Sequence, residues 1–225
     1  MSHALAEKPY KGIGMEGPIA RWYATQTVRS MDEFKALARR VAAQLAAGSR
    51  VLEVAPGPGY FAIELAKLGD YLVTGLDISH TFVEIARRNA AQAEVHVDFE
   101  QGNASKMPFP DETFDFLLCR AAFKNFSAPI GALQEMHRVL KPGGQAIIID
   151  LKKDASNESI SEAISAMGLG PVNRLVTKFT FRFMLLKRAY TRRQFEEFVA
   201  QTSFASAEIQ ESPLGLELNL RRPLP

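Results

Sequence analysis

An apolar run that leads into two glycines is the part of this sequence best suited to chemistry. Residues 51–54 have the character of a buried strand, Gly57 and Gly59 follow, and a helical pattern begins at Tyr60. Glycine has no Cβ, so the backbone there can adopt positive φ and let a ligand approach closely. Asp77 closes the next apolar run about twenty residues later, the spacing at which an acid reaches ribose hydroxyls in nucleotide-binding folds. The pattern predicts a site for a ligand that carries adenosine.

Two features bear on which ligand this is. Residues 57–62 match the G-x-G-x-x-G/A fingerprint of NAD enzymes, although a short match of this kind also occurs in ordinary strand-to-helix turns. Glu53 lies inside the first strand, where a carboxylate is costly to bury without a partner. NAD enzymes usually keep that position apolar. Glu53 is therefore predicted to serve the turn or a cationic ligand.

Composition narrows the class of protein. The 225 residues are 47% hydrophobic with a formal net charge of +2, which predicts one sizeable core and no general affinity for nucleic acid or membranes. Cys119 is the only cysteine, and the four histidines lack metal-ligand spacing, so no disulfide and no metal site is predicted. A secretory signal and a membrane span are not recognisable, which predicts a cytoplasmic protein.

Strand and helix patterns alternate through the middle of the chain. The predicted strands cover residues 50–54, 71–76, 94–100, 114–119 and 145–151. The predicted helices between them cover residues 60–68, 81–93 and 130–140. Such alternation is typical of a parallel sheet with helices on both faces. We therefore expect an α/β fold with a doubly wound sheet.

The flanking segments have a different pattern. Two helices are predicted between residues 18 and 47, and the second buries a stripe that includes Phe34, Leu37 and Val41. Beyond residue 151 the pattern predicts helices over 157–167 and 192–202 (the latter capped by Thr191), an aromatic and basic stretch that ends at Lys187, and strands over 205–210 and 216–220. The last two strands are expected to form an antiparallel C-terminal edge.

Several ordered motifs then identify a family. They are Val51-Leu52-Glu53-Val54-Ala55-Pro56-Gly57-Pro58-Gly59, Gly75-Leu76-Asp77-Ile78-Ser79, Gly102-Asn103-Ala104, Phe109-Pro110-Asp111-Glu112-Thr113-Phe114-Asp115 and Arg138-Val139-Leu140-Lys141-Pro142-Gly143-Gly144. With these motifs the chain resembles a class I S-adenosylmethionine-dependent methyltransferase over about residues 50–220. Its pattern is nearest to the ubiquinone/menaquinone-biosynthesis methyltransferases and their small-molecule relatives. The resemblance implies a Rossmann-like sheet in a single domain of residues 1–225. Its parts would be a helical lid (1–47), a cofactor-binding core (48–152), a substrate-covering segment (153–204) and edge strands (205–225).

The resemblance also implies roles for individual residues. The amino-acid portion of S-adenosylmethionine would lie among Glu53, Ala55, Gly57 and Gly59, the ribose against Asp77, the adenine against Ile78, Asn103 and Ala104, and the sulfonium near Arg120 and Ala121. Three departures from the family pattern stand out. Ala55 replaces a common glycine, which is tolerable if φ is negative there. Asn103 replaces the commoner aspartate, so its amide oxygen would accept from the adenine amino group. Phe123-Lys124-Asn125 lacks the Leu-Arg of the quinone enzymes.

The implied reaction is transfer of a methyl group to a small molecule by in-line displacement. It needs alignment of the acceptor more than a catalytic triad, and no general base is identified.

Tyr23 and Arg182 are the candidate catalytic residues. Trp22 and Tyr23 could close over the cofactor, or their helix could pack on the sheet. The segment 178–187 could cover an apolar acceptor that carries an acidic or phenolic group, with Lys178 and Arg182 beside that group; core packing and solvated charges are the simpler interpretation.

Three other functions are weighed against this one. An NAD(P)-dependent oxidoreductase would share the glycine fingerprint, but no tyrosine here is followed four residues later by lysine. A nucleic-acid methylase would carry an Asn/Asp-Pro-Pro-aromatic element after the fourth strand, where this chain has Cys119-Arg120-Ala121-Ala122. A third possibility is a protein that binds the cofactor without turnover. The acceptor atom and the oligomeric state stay open.

Overall fold

A seven-stranded sheet forms the centre of the protein in the computed structural model, which describes residues 10–12, 14–166, 170, 173, 178–179, 185–204 and 206–225. The strands are β1 (Arg50–Val54), β2 (Leu72–Asp77), β3 (Asp98–Gln101), β4 (Phe114–Arg120), β5 (Leu140–Leu151), β6 (Ser206–Glu211) and β7 (Gly215–Arg221). Their order across the sheet is β3-β2-β1-β4-β5-β7-β6. The pairings β2–β3, β1–β2, β1–β4 and β4–β5 are parallel, whereas β7 runs antiparallel to both β5 and β6.

This topology confirms the predicted fold class. The five strands of the alternating region form the parallel part of the sheet, and the two C-terminal strands complete it. The antiparallel strand, β7, lies between β5 and the edge strand β6. Strand order reverses between β1 and β4, and open α/β sheets bind ligands outside the carboxyl ends of strands at such a switch point. The fold therefore places the β1 and β2 loops where the sequence predicts a ligand.

Helices cover both faces of the sheet. They are α1 (Gly17–Thr27), α2 (Met31–Ala42), α3 (Tyr60–Ala66), α4 (His80–Gln92), α5 (Pro129–Val139), α6 (Asn157–Ala166) and α7 (Arg192–Val199), with short 3₁₀ turns at Val28–Ser30 and Phe123–Asn125. One core layer joins α2, α3 and α4 to the sheet, and the other joins α5 and α7 to its opposite face. Successive β4 residues alternate between them, with Phe116 and Leu118 in the first layer and Leu117 and Cys119 in the second. No helix within the described ranges is both long and apolar enough to cross a bilayer.

Some predicted boundaries were wrong, for local reasons. The second helix ends at Ala42, where the expected end was residue 47, and β3 begins only at Asp98, because Glu94 adopts a positive φ of 55° and turns the chain. β5 begins at Leu140, five residues earlier than expected, since the Leu140 backbone is extended and pairs with Phe114 before the register shifts. The predicted cap at Thr191 is confirmed as a full capping box with Gln194. The predicted stretch up to Lys187 lies largely outside the described residues.

Candidate active site

The carboxylate of Asp77 connects the ends of two neighbouring strands. Its Oδ2 accepts a hydrogen bond from the backbone N–H of Gly57 at 2.9 Å, and its Oδ1 accepts one from Ser79 N–H at 2.9 Å. Burial raises the pKa of Asp77 to about 6, although these backbone donors oppose the shift. The backbone N–H of Ile78 also lowers this pKa, and a carboxylate with about four acceptor positions can still accept a hydrogen bond from a ligand.

The loop after β1 contains three residues with left-handed backbone. φ is 56° at Ala55, 55° at Gly57 and 80° at Gly59. A Cβ added at Gly57 would meet no atom within 4 Å, which leaves the loop backbone open to a ligand. A Cβ at Gly59 would lie 2.7 Å from Phe99 Cζ and 3.0 Å from Ala86 Cβ, so this glycine permits close packing inside the protein. The condition under which alanine would be tolerable at position 55, a negative φ, is not met, because φ is 56° there.

Glu53 is buried inside β1 with few partners. Its side chain is 3% exposed, and its Oε2 accepts a hydrogen bond from Ala62 N–H at 3.1 Å. Burial raises the pKa of Glu53 to about 8, while the hydrogen bond from Ala62 and the positive charge of Arg120 lower it. Among the described residues, none donates a hydrogen bond to the other carboxylate oxygen, Oε1. A buried acid with a free acceptor suits a cationic ligand group.

The residues predicted to surround adenine lie at the ends of β2 and β3. Ile78 is half-buried directly after Asp77, and Ala104 is buried against the core. The amide oxygen of Asn103 accepts a hydrogen bond from Ser105 N–H at 2.9 Å, so it closes the local turn. This is the oxygen expected to accept from the adenine amino group, so one of its lone pairs is already used, while the two N–H donors of the amide are left for a ligand.

Arg120, predicted near the sulfonium, extends from the end of β4 towards α2. Its Nη2 lies 2.6 Å from Glu33 Oε2, and its guanidinium stacks 4.5 Å above the ring of Phe34. The next residue, Ala121, has a positive φ of 57° and ends the strand. Arg120 is therefore held against α2, where Glu33 is its acidic partner.

The start of α1 is attached to the start of α4, immediately after Asp77. The carboxylate of Glu16 accepts hydrogen bonds from the backbone N–H groups of His80 at 3.0 Å and Thr81 at 3.1 Å. Tyr23 packs edge-on against Phe82 with ring centroids 5.8 Å apart, whereas Trp22 is 64% exposed. The helix therefore lies beside the candidate cofactor loops, with Tyr23 on its packed side.

A buried ion pair at the ends of β4 and β5 was not expected from the sequence. Lys124 Nζ lies 2.8 Å from Asp150 Oδ1, both residues are 4% exposed, and Asp150 Oδ2 accepts a hydrogen bond from Lys124 N–H at 2.8 Å. The available signals were Asp150 after the apolar run of β5 and Lys124 beside Phe123 in the 3₁₀ turn after β4. Buried charges are tolerated when they are paired in this way.

The other predicted side chains have simpler surroundings. Lys178 Nζ donates a hydrogen bond to Ser161 Oγ at 2.9 Å, whereas Arg182 lies outside the described residues. Cys119 is fully buried, and burial raises the pKa of its thiol, so it acts as a small apolar core residue. Within the described part of the chain, no three His, Cys, Asp or Glu side chains come together as a metal site.

Comparison with known sequences agrees with this arrangement. A family model described as a methyltransferase domain matches residues 52–148. The demethylmenaquinone methyltransferase of Deinococcus radiodurans is 35% identical over 159 residues, which cover 68% of this chain and 66% of that protein. The compared relatives of that name are covered over 40% to 66% of their own length.

Comparison with solved structures shows the same fold. A structure from Methanococcus maripaludis, assigned as an S-adenosylmethionine-dependent methyltransferase, is 20% identical with a TM-score of 0.76, covering 94% of this chain and 95% of that one. The [4+2]-cyclase SpnF is 21% identical with a TM-score of 0.64, covering 85% of this chain and 81% of that one. The matched domain, the relatives and the shared sheet topology agree, and the chain belongs to the class I S-adenosylmethionine-dependent methyltransferases.

Proposed function

We propose that this protein binds S-adenosylmethionine at the loops after β1 and β2 and transfers its methyl group to a small-molecule acceptor. The observation that carries the proposal is the hydrogen bond of 2.9 Å between Asp77 and Gly57 N–H. It joins an acid with free lone pairs to a loop whose backbone faces open space at Gly57. The nearby buried carboxylate of Glu53 adds an acceptor for a cation. This set of groups fits a nucleoside that carries an amino acid.

The role of each residue follows from its position. Asp77 would accept hydrogen bonds from the ribose hydroxyls through its remaining lone pairs. The amino-acid end would lie along the loop from Ala55 to Gly59, with its ammonium group near Glu53. Ile78, Asn103 and Ala104 would surround adenine, with the Asn103 amide as a donor to a ring nitrogen. Arg120, which the family resemblance implies is near the sulfonium, would lie at the border of the cofactor.

The reaction places few chemical demands on the protein. When bound, S-adenosylmethionine supplies a methyl group that is already activated for displacement. The chain has to hold the acceptor in line and exclude water, and positioning of this kind can contribute about 7–11 kcal/mol. No residue is required as a general base unless the acceptor must lose a proton. Tyr23 and Arg182 remain the candidate residues for contact with the acceptor.

The acceptor would lie between the cofactor loops and the segments that cover them. We assign residues 1–47 as a lid, 153–204 as the substrate-covering segment and 48–152 as the cofactor core. The related demethylmenaquinone methyltransferases make demethylmenaquinone the first acceptor to test, and an apolar molecule with an acidic or phenolic group is the broader class. The cytoplasmic location stays a prediction from the sequence.

The fold alone does not select methyl transfer, since a cyclase shares it. Binding without turnover is therefore the main alternative, and an NAD(P)-dependent oxidoreductase is the second. Isothermal titration calorimetry with S-adenosylhomocysteine and with NAD distinguishes the methyltransferase from the oxidoreductase. We expect saturable binding of S-adenosylhomocysteine and none of NAD. Binding of NAD alone, or of neither compound, would contradict the proposal.

Turnover requires a second measurement. The protein is incubated with S-adenosylmethionine and a panel of quinols, phenols and carboxylic acids, and products are screened by mass spectrometry for the gain of one methyl group. Asp77→Asn should abolish the gain, whereas the exposed Asp70→Asn should preserve it. Cofactor binding without methylation of any acceptor would favour the non-catalytic alternative.

A further inference from the structure

A second pocket, of about 540 Å³, is lined mainly by basic side chains. Four of its lining residues are cationic: Lys11, Lys153, Lys187 and Arg188. Ala189, Tyr190 and Gln194 complete the lining. We call this site the cationic pocket. Its volume lies within the range of about 300–1,000 Å³ that small-molecule sites occupy.

The cationic pocket lies at the same edge of the sheet as the candidate cofactor loops. Lys153 follows the end of β5, and its backbone N–H donates to Tyr190 O at 3.1 Å. Lys11 N–H donates to the backbone oxygen of Asn125, just beyond β4, at 2.6 Å. Because β1, β2, β4 and β5 all point the same way, their carboxyl ends form one edge. This is the edge where an acceptor must approach the cofactor.

The polar groups in the cationic pocket are donors. The hydroxyl of Tyr190 accepts a hydrogen bond from Lys11 Nζ, so its own hydrogen is left to donate. The amide oxygen of Gln194 already accepts from Thr191 N–H at 3.1 Å, which leaves its two N–H hydrogens for the pocket. Lysine and arginine only donate. A ligand here must supply acceptors.

In the part of the chain that the structure describes, the four cations that line the cationic pocket have no ion-pair partner. Many basic residues of this protein are paired; Arg138, for example, lies 2.7 Å from both Asp111 and Glu135. Among the residues that the structure describes, no carboxylate lies within 4.0 Å of a basic group of the four lining cations. Like charges brought together raise the free energy of the folded protein unless an anion is bound.

Tyr190 connects the lining of the cationic pocket to a packed aromatic cluster. Tyr190 is buried, and its ring meets Phe198 edge-on at 4.9 Å, Phe195 at 5.6 Å and Phe123 at 6.1 Å. Its backbone also forms an isolated bridge with Lys152, at the end of β5. The backbone that carries Arg188, Tyr190 and Lys153 is therefore fixed by the core, which prepares the donors before a ligand arrives.

From these observations we propose that the cationic pocket binds an oxyanion group of the acceptor, a phosphate or a set of carboxylates with two or more negative charges. The inference rests on the proposed function and narrows its broader acceptor class to small molecules with an anionic group, a class to which the neutral demethylmenaquinone does not belong. The anionic group would anchor the acceptor at the β4–β5 side while its nucleophile faces the cofactor loops. Both anion classes share the chemistry of multiple acceptor oxygens, and experiment distinguishes them.

The test uses inorganic pyrophosphate and citrate as probes, titrated into the full chain by calorimetry at constant ionic strength. The double variant Lys153→Gln/Arg188→Gln should weaken binding at least about tenfold, because it removes two charge-assisted hydrogen bonds to the anion. The control variant Arg39→Gln/Arg88→Gln removes the same charge from exposed positions on α2 and α4 and should retain binding. Lys187→Gln provides a single, milder substitution in the pocket.

Each outcome decides the proposal. Binding of pyrophosphate alone identifies a phosphate, binding of citrate alone identifies carboxylates, and either supports the site. Absence of saturable binding, or equal weakening in both double variants, overturns it. S-adenosylhomocysteine is titrated in parallel: a protein that binds this compound but neither anion contradicts the anion site alone. A protein that binds an anion but not S-adenosylhomocysteine contradicts the methyltransferase proposal and leaves the anion site standing.

Discussion

Ala55 and Ala121 share a backbone conformation that alanine rarely adopts. Each follows one of the neighbouring strands β1 and β4, with φ of 56° and 57° respectively. The left-handed region costs a residue with a Cβ about 1–2 kcal/mol. Strain of this kind is commonly found at functional sites, where the surrounding structure enforces it. Here it lies in the two loops nearest the strand-order reversal, where the cofactor is proposed to bind.

Ala55→Gly should therefore stabilise the protein by up to about 1 kcal/mol, because relief of strain exceeds the added entropy of the unfolded chain. Urea denaturation measures the change in the free energy of unfolding. Ala36→Gly, at an exposed position inside α2, is the matched control and should destabilise by about 1 kcal/mol. Equal effects of the two substitutions would show that Ala55 is not strained.

Glu53 should make the ligand-free protein less stable as the pH rises. Its pKa is raised from 4.5 to about 8, so the folded state favours the protonated acid. The contribution of Glu53 to the free energy of unfolding is fully present below about pH 4.5 and is lost as the pH approaches about 8. The pKa of Asp77 is raised from 3.8 to about 6, so this residue also lowers the stability as the pH rises, and its contribution is lost near pH 6. Glu53→Gln should flatten the denaturation-derived stability profile above about pH 6.

We expect the carboxyl group of Glu53 to release a proton when the ligand binds. A ligand ammonium group beside Glu53 favours the ionised form, so binding near pH 7 should release up to about one proton. Calorimetry with S-adenosylhomocysteine in buffers of different ionisation enthalpy measures this number. Glu53→Gln should remove the release, and the exposed Glu84→Gln should keep it. A binding enthalpy that does not depend on the buffer would contradict the prediction that the ligand ammonium group lies beside Glu53.

Gly57 and Gly48 provide a paired test of the cofactor loop. Both have positive φ, 55° and 76°, and a Cβ at either would meet nothing within 4 Å. Alanine at each should cost about 1–2 kcal/mol of stability through the same backbone strain. Only Gly57→Ala should also weaken S-adenosylhomocysteine binding in calorimetry, because its methyl group would enter the ligand space. Unchanged affinity in that variant would contradict the proposed site.

The buried pair of Lys124 and Asp150 should be strongly coupled. Asp150→Asn leaves the Lys124 ammonium buried without its counter-charge and should cost about 3–5 kcal/mol. Lys124→Met should cost less, because Asp150 still accepts hydrogen bonds from Lys124 N–H and Leu151 N–H. A double-mutant cycle in urea should therefore show clear coupling.

The exposed pair Arg193–Glu197 on α7 is the control for that cycle. Solvent screens such surface pairs, so its coupling should be close to zero. Additive effects of Lys124→Met and Asp150→Asn would mean that the buried pair contributes no more than the surface pair.

The sequence by itself determined which segments form strands and helices and that the sheet is doubly wound, whereas the order of the strands came from the structure. Alternation of apolar strands with helical stripes is a local property, and right-handed crossovers leave few topologies for it. The stripe of Phe34, Leu37 and Val41 is buried as predicted. Glu53 and Asp77 lie near the carboxyl ends of β1 and β2, and Gly57 lies in the loop after β1. Open α/β sheets bind ligands at this edge, and the roles of the three residues towards a ligand stay predictions.

Only the tertiary structure decided which groups meet across that edge. Lys124 and Asp150 pair because β4 and β5 are neighbours, and Lys11 reaches Tyr190 across most of the chain. Such contacts depend on the packing of distant segments, which local patterns do not encode. The φ of Ala55 is likewise imposed by its surroundings against the preference of the residue. The sequence thus set the scaffold and the loops proposed to bind the cofactor, and packing assembled the buried ion pair and the cationic pocket.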